Sequence, residues 1–290
     1  MLFWNAIQTG IDTVPGGWGS RRLLCQKFNS NLEPAWQDSL VLIYPPTFNA
    51  FRLDHSVQYV PDTSNGIYFV WFDNREFNAN VHLNHISTDG VRAFGEPGLE
   101  ITASSENCSN MTPYAHFDAS QNTVFMYWIE ECIKINYRGS RYGEYGVGAN
   151  KYMAGKETWE WGNEGLDIMP VECYFSPEII KASSLNDGNH QVVFITNNGV
   201  SIEAGLMNTD GQTPLTFIPL SYEVDDNSEV QKLLGKNDIQ ITNLANDQWV
   251  ATWYDVIQVK DDYSPVNLYK LYAQNLNTDG TLGPKPVGVA

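Results

Sequence analysis

The chain has 290 residues, of which 42% are hydrophobic and 13% aromatic, and its 34 acidic and 17 basic residues give a net charge of −17. This length suits one large all-β domain or two ordinary domains. The negative charge opposes binding to nucleic acid and to anionic lipid, and no apolar run is long enough for a membrane-spanning helix. Short apolar runs separated by Asn, Asp, Gly, Ser and Thr predict a protein of many short strands.

An aromatic residue within a strand-like pattern recurs along the chain. The segments are LFWNAI from Leu2, FVWFDN from Phe69, MYWIEE from Met126, VVFITN from Val192 and ATWYDV from Ala251. Their aromatic anchors are Trp4, Trp71, Trp128, Phe194 and Trp253, which are 67, 57, 66 and 59 residues apart. Such spacing indicates a protein of five repeated units.

Further strand and turn signals surround each anchor. The turns HISTDG, LMNTDG and NLNTDG end at Gly90, Gly211 and Gly280, and FGEPGLEIT from Phe94 matches WGNEGLDIM from Trp161. One more short run precedes each anchor except Trp4, so four strands per unit are predicted. The first unit opens on its second strand, and either it has three strands or a segment precedes Met1.

The repeat predicts a five-bladed β-propeller. A four-stranded antiparallel unit cannot bury both faces alone, whereas radial stacking lets each sheet cover its neighbours. A β-sandwich also has alternating strands and turns, but it gives no reason for a fivefold repeat. The predicted blades of this single domain are residues 1–46, 47–104, 105–171, 172–223 and 224–290.

The second unit carries a fuller motif, V-W-x-D-x-R followed by N-x-x-L and D-G. Its residues are Val70, Trp71, Asp73, Arg75, Asn80, Leu83, Asp89 and Gly90. The motif resembles repeats of exported β-propeller proteins of Bacteroidetes-type bacteria. The resemblance implies a propeller fold and an extracellular, cell-surface or periplasmic location. It implies no reaction, because such proteins resemble adhesion, scaffold or binding modules.

The N-terminal stretch MLFWNAIQTGID has no basic region, long apolar run or cleavage site typical of a signal peptide. We expect any leader to stand in a segment upstream of Met1.

Three acids follow their tryptophan by two residues: Asp73, Glu130 and Asp255. Paired carboxylates perform glycoside hydrolysis, so one alternative is a glycosidase that uses these acids in a central channel. A repeated acid at a strand end is more simply a turn residue that accepts backbone N–H bonds. We therefore assign no catalytic residue.

No metal or cofactor is expected. The turns PDTSNG, FDASQN, LNDGN and VDDNSE are rich in oxygen ligands that suit calcium, but none has the spacing of a calcium loop, so ordinary turns are favoured. The five histidines do not cluster and are interpreted as surface or packing residues. Cys25, Cys108, Cys132 and Cys173 lack metal-ligand spacing and are interpreted mainly as buried thiols, with one disulfide left open.

The connections after the anchor strands are long in the first, third and fifth units. The third, ECIKINYRGSRYGEYGVG, concentrates tyrosine and arginine among glycines in an otherwise acidic chain. Tyr, Trp and Arg are enriched where binding energy concentrates, and recognition often lies on loops, although these tyrosines could also pack within a long hairpin. The predicted binding residues are Trp18, Arg21, Arg22, Tyr137, Arg138, Arg141, Tyr142 and Tyr145.

The sequence therefore predicts a non-enzymatic binding or scaffold protein. Its expected partner is a protein, including an outer-membrane or secretion assembly, or a glycan. A glycoside hydrolase and a structural spacer from a longer repeat protein are the alternatives.

Overall fold

The computed structural model describes residues 2–7, 21–37, 41–42, 57–73, 79–95, 98–103, 105–173, 177–185, 187–197, 201–211, 216–221, 231–244, 248–259, 266–277 and 279–283. Within these ranges the protein is all-β and contains no helix. Accordingly, no helix that could cross a membrane occurs in this part of the chain.

Eighteen strands are described along the chain. They are β1 (Leu2–Ile7), β2 (Arg21–Gln26), β3 (Val41–Leu42), β4 (Gln58–Pro61), β5 (Ile67–Asp73), β6 (Asn80–Ile86), β7 (Leu99–Ile101), β8 (Cys108–Asp118), β9 (Thr123–Ile135), β10 (Arg141–Met153), β11 (Leu166–Cys173), β12 (Pro177–Ser184), β13 (His190–Asn197), β14 (Ser201–Asn208), β15 (Thr216–Pro219), β16 (Gln231–Asn243), β17 (Trp249–Val259) and β18 (Val266–Leu276).

The described strands form five sheets, in the orders β1-β2-β3, β4-β5-β6-β7, β11-β10-β9-β8, β12-β13-β14-β15 and β16-β17-β18. Within each sheet, every strand is hydrogen-bonded to the next along the chain, as in an antiparallel meander. The prediction of an all-β protein with four-stranded antiparallel sheets is confirmed. A ring of five blades stays a prediction.

The chain divides into two compact units, Met1–Asp167 and Ile168–Ala290. The division falls within β11, close to the predicted blade boundary after residue 171. The assignment of a single domain stays a prediction.

Three tryptophan anchors occupy the same position in their sheets. Trp71, Trp128 and Trp253 each lie on the second strand of the repeat and are at most 2% exposed. In the compact unit Met1–Asp167, Trp71 belongs to a core shared with Cys25 of β2, and Trp128 belongs to a core shared with Val70 of β5. Each of these two indoles therefore packs its sheet against the preceding one.

The fourth anchor was assigned to the wrong residue. Ile67 of β5 pairs with the residue just before the turn that ends β6, and Gln191 of β13 pairs with the residue just before the turn that ends β14, so Ile67 and Gln191 are equivalent. Trp71 comes four residues after Ile67. Ile195, which is 2% exposed, is thus the counterpart of Trp71. Phe194 lies on the other face of β13, where its ring centroid is 5.3 Å from that of Trp249. The alignment by aromatic character was therefore shifted by one residue, which exchanges the two faces of a strand.

Two glycines explain why FGEPGLEIT and WGNEGLDIM match. Gly98 and Gly165 have φ angles of +98° and +74°. A Cβ at Gly98 would lie 3.0 Å from the ring of Trp71, and a Cβ at Gly165 would lie 2.5 Å from the ring of Trp128. Each glycine therefore allows the backbone to pass close to the indole of its own repeat.

Candidate functional site

The third long connection is the outer part of a β-hairpin. Strands β9 and β10 pair over 13 residues each, from Thr123 opposite Met153 to Ile135 opposite Arg141. The pairing of β8 with β9 ends at Cys132. Just beyond it, the Ile133 N–H donates to the Asn107 carbonyl at 2.9 Å. Residues 133–142 form the outer end of the hairpin and are called the tip hairpin below.

The turn of the tip hairpin is fixed by its own side chain. Asn136 Oδ1 accepts the backbone N–H of Arg138 at 2.9 Å and that of Ser140 at 3.0 Å. The Asn136 N–H also donates to the Ser140 carbonyl at 3.0 Å, and Gly139 takes a φ of +78°. The sequence NYRGS thus specifies a defined turn.

The surface of the tip hairpin is apolar and basic. Tyr137 is 89% exposed and Ile135 is 66% exposed. The guanidinium carbon of Arg138 lies 5.2 Å from the centroid of the Tyr137 ring. Residues 133–142 contain Lys134, Arg138 and Arg141 and no acid, which gives a local charge of +3. The tip is therefore opposite in charge to the chain as a whole.

The two remaining predicted tyrosines lie nearer the sheet. The hydroxyl of Tyr145 donates to Glu131 Oε1 at 3.0 Å, and the ring lies over Gly143, where an added Cβ would be 3.0 Å from the Tyr145 oxygen. Partial burial and this hydrogen bond raise the pKa of Tyr145. Tyr142 is half-buried and has contacts of its own. Tyr145 therefore packs within the hairpin, and the binding roles of Tyr142 and Tyr145 stay a prediction.

The side chains of the three candidates from the first long connection lie outside the described residues. Trp18 lies outside the described residues. Arg21 and Arg22 begin β2, but their side chains also lie outside the description.

A disulfide stands at the base of the tip hairpin. Cys108 of β8 is bonded to Cys132 of β9, with the two Cα atoms 4.0 Å apart and both side chains buried. This is the bridge that the sequence left open. Cys25 is a buried thiol outside this disulfide, as predicted, and desolvation raises its pKa to about 12. The disulfide therefore ties the strand that enters the hairpin to the neighbouring strand.

Two of the three repeated acids have side chains that the structure describes, and their contacts differ. Asp255 is 2% exposed, and its Oδ1 accepts hydrogen bonds from Lys236 Nζ at 2.7 Å and from Trp253 Nε1 at 3.0 Å. Glu130 is 3% exposed and lies beside the disulfide, whose two sulfurs are bonded to each other. The side chain of Asp73 lies outside the described residues. Glu130 and Asp255 belong to different compact units, and the hydrolase alternative stays a prediction.

Aspartates close the turns between the first and second strands of three repeats. Asp62 Oδ1 accepts the backbone N–H groups of Ser64 and Gly66, both at 2.7 Å. Asp118 and Asp187 accept backbone N–H groups in the corresponding turns. This is the turn-forming role predicted for these aspartates. The segment VDDNSE lies outside the described residues.

Sequence reasoning missed one arrangement. His85 Nε2 lies 2.8 Å from Asp62 Oδ2, and both residues line a cleft of about 720 Å³. The two come together because Tyr68, near the turn that contains Asp62, pairs with His85 across β5 and β6. The segment LNDGNH contains a related signal, because its Asp187 and His190 lie three residues apart and form a similar pair.

No family model and no curated protein matches this chain. Among solved structures, it is similar to a protein of unknown function from Dyadobacter fermentans, with a TM-score of 0.44 and 10% identity over 83% of this chain and 85% of that one. It is also similar to a GDP-Man-dependent mannosyltransferase from Leishmania mexicana, with a TM-score of 0.36 and 14% identity over 82% and 71% of the two chains. For a periplasmic gluconolactonase from Pseudomonas aeruginosa, the TM-score is 0.31 and the identity 9%, over 99% and 96%. These TM-scores are all below 0.5, and the likenesses carry no argument about function.

Proposed function

We propose that this protein is a non-catalytic recognition module that binds an acidic protein surface through the tip hairpin. The observation that carries the proposal is the exposed, basic and aromatic tip, residues 133–142, on an acidic chain. Tyrosine and arginine supply large contact areas with a polar end, and they are enriched where binding energy concentrates.

The turn geometry supports this role. Asn136 holds the turn through two side-chain hydrogen bonds, and the Cys108–Cys132 disulfide anchors the entering strand. A hairpin fixed before binding loses less conformational entropy when a partner docks. Tyr137 and Arg138 already lie against each other, so both side chains are partly ordered in the free protein.

The charge of the tip favours an acidic partner. Opposite charges raise the association rate and reject partners with a basic surface. The rest of the chain is acidic, so it repels such a partner except at the tip. Binding should therefore depend on orientation and weaken with ionic strength.

The wider setting of this proposal is an exported five-bladed propeller. Five antiparallel meanders in the described ranges, with indole anchors packed between successive sheets of the first unit, support the propeller. The disulfide supports an oxidising compartment, since such bonds persist mainly outside the cytosol.

The test is capture by site-specific photo-crosslinking. A photoreactive phenylalanine at position 137 is compared with the same residue at position 269, because Tyr269 is a second exposed tyrosine, 64% exposed on β18. We expect a defined adduct from outer-membrane and extracellular fractions of the source organism at position 137 alone. The captured protein, once purified, should bind the Arg138→Glu/Arg141→Glu variant at least about tenfold more weakly than the parent.

Arg138→Lys/Arg141→Lys keeps the charge and should retain most of the affinity. Equal crosslinking at positions 137 and 269, or equal affinity of the parent and the double Glu variant, contradicts the proposal.

A further inference from the structure

The cleft beside His85 lies between the sheet β4–β7 and the sheet β8–β11, within the unit Met1–Asp167. Its walls include Asp62, Tyr68, His85, Phe94, Asn122 and Tyr152. Its volume, about 720 Å³, is in the range of small-molecule sites.

One side of the cleft is aromatic and held in place. The ring centroid of Phe94 lies 5.4 Å from that of Tyr152, edge to face, and the Tyr68 ring lies 6.1 Å from Tyr152. The Tyr152 hydroxyl donates to the Lys156 carbonyl at 2.8 Å, which fixes its ring. Phe94 is half-buried and presents the more accessible ring. The aromatic side is therefore formed without any ligand.

The other side carries oriented polar groups. Asp62 Oδ1 is held by two backbone N–H bonds, so its Oδ2 has a defined position against His85 Nε2. When the His85 ring is neutral and its proton is on Nε2, that N–H donates to Asp62, and Nδ1 of His85 is then an acceptor. The Asp62–His85 pair thus presents a fixed hydrogen-bonding edge.

The Tyr68 hydroxyl has no hydrogen-bond partner among the residues that the structure describes, although the residue is only 4% exposed and lines the cleft. Desolvation, with smaller contributions from Tyr152 and Asp62, raises the pKa of Tyr68, so the phenol stays protonated and can donate. Because the hydroxyl lines the cleft, it can donate to a ligand oxygen that enters there.

The ligand class follows from these two sides. A pyranose ring has an apolar face that suits an aromatic wall and hydroxyls that both donate and accept hydrogen bonds. Among the described residues that line the cleft there is no arginine, and the one lysine, Lys156, is accompanied by the acids Asp62 and Glu157. A phosphate or carboxylate ligand is thus disfavoured. We propose that the cleft between the two sheets binds one neutral pyranose unit of a glycan, which is a site separate from the tip hairpin.

The test uses four defined probes: methyl α-D-mannopyranoside, methyl β-D-galactopyranoside, methyl β-D-glucopyranoside and methyl N-acetyl-β-D-glucosaminide. Saturation-transfer NMR on the full chain should detect at least one of them. Tyr68→Phe removes only the hydroxyl and should weaken binding of that probe by about tenfold while leaving the thermal unfolding temperature unchanged.

Phe94→Ala should abolish binding, because it removes the accessible ring. Asp62→Asn should weaken binding, and Asp187→Asn is its matched control, since Asp187 pairs with His190 in an equivalent turn that does not line the cleft. The tip variant Arg138→Glu/Arg141→Glu should bind the probe like the parent, which separates this proposal from the recognition hairpin.

Three results would overturn the proposal. The first is the absence of binding by all four glycosides, and the second is equal binding by the parent, Tyr68→Phe and Phe94→Ala. The third is tighter binding of methyl β-D-glucuronide than of the glucoside, because it would indicate a site for an anion.

Discussion

Removal of Lys236 should destabilise the protein more than almost any other single substitution of a charged residue. Its ammonium group forms an ion pair with Asp255 at 2.7 Å, with the two side chains only 1% and 3% exposed. A bulge in β16 creates this contact: the register shifts between Leu233 and Gly235, and the extra residue, Leu234, is 46% exposed. Beyond the bulge, Lys236 lies opposite Asp255.

The magnitude follows from what each variant leaves behind. Lys236→Met leaves a buried carboxylate that keeps one hydrogen bond, from Trp253 Nε1, and it removes an ammonium group 5.7 Å from the Trp253 ring centroid. Breaking a buried pair in this way costs about 3–5 kcal/mol. Asp255→Asn leaves a buried ammonium and should cost about 3 kcal/mol on the same basis. Lys236→Met/Asp255→Asn leaves no charge and keeps the indole hydrogen bond, so it should cost less than either single variant.

Urea unfolding followed by tryptophan fluorescence measures these effects. Lys236→Met should lower the midpoint by more than about 1 M, given usual urea slopes of about 1–3 kcal/mol per M. The matched control is Lys270→Met, because Lys270 lies opposite Asp255 on β18 but is exposed, and it should change stability by less than about 0.5 kcal/mol. Additive effects of the two single variants, or a cost of Lys236→Met below about 1 kcal/mol, would refute the reasoning.

Three further predictions concern the disulfide, the glycines and one turn. Cys108→Ser/Cys132→Ser should lower the free energy of unfolding by about 3 kcal/mol, since the bond closes a loop with a sequence separation of 24. Reduction of the disulfide in the parent should lower it by the same amount, and an unchanged urea midpoint would contradict this prediction. Gly165→Ala should cost clearly more than Gly155→Ala, because both have positive φ but only the Gly165 Cβ meets Trp128 and the Ala149 carbonyl, and equal melting temperatures would count against the clash. Desolvation raises the pKa of Asp187, but hydrogen bonds from His190 and the backbone outweigh it, so the pKa lies below 3.8. The parent should therefore be more stable than Asp187→Asn at pH values above the ordinary aspartate pKa, and this difference should disappear as the pH falls through the lowered pKa of Asp187. Urea unfolding measures it, and a difference that persists at the lowest pH would contradict the prediction.

The strand content was predictable because it depends on local pattern. Short apolar runs around Trp71, Trp128 and Trp253 identify the second strand of three repeats, and the turns ending at Gly90 and Gly211 mark the end of the third strand in two repeats. Both signals arise from neighbours along the chain, since side chains alternate across a strand and glycine accepts a positive φ.

The cleft and the ion pair were not predictable in this way. Asp62 and His85 are 23 residues apart, and they meet only because of the register between β5 and β6. Lys236 reaches Asp255 only after a bulge, which no periodicity announces. The shift at Phe194 has a related cause, because an alignment by aromatic character cannot tell which face of a strand a ring occupies.

The recurrence of an acid two residues after the anchor has a structural explanation in the last sheet. Residues i and i+2 of a strand lie on the same face, so an acid at this spacing can accept the indole N–H of its own tryptophan. Asp255 does this with Trp253 at 3.0 Å. Where the anchor is not tryptophan, the indole donor is lost and so is the need for an acid: Ile195 is followed by Asn197. An acid thus follows three of the four tryptophan anchors, since Trp4 is followed by Ala6. In the last sheet this acid accepts both the indole N–H and the Lys236 ammonium, which is a role in holding the strand.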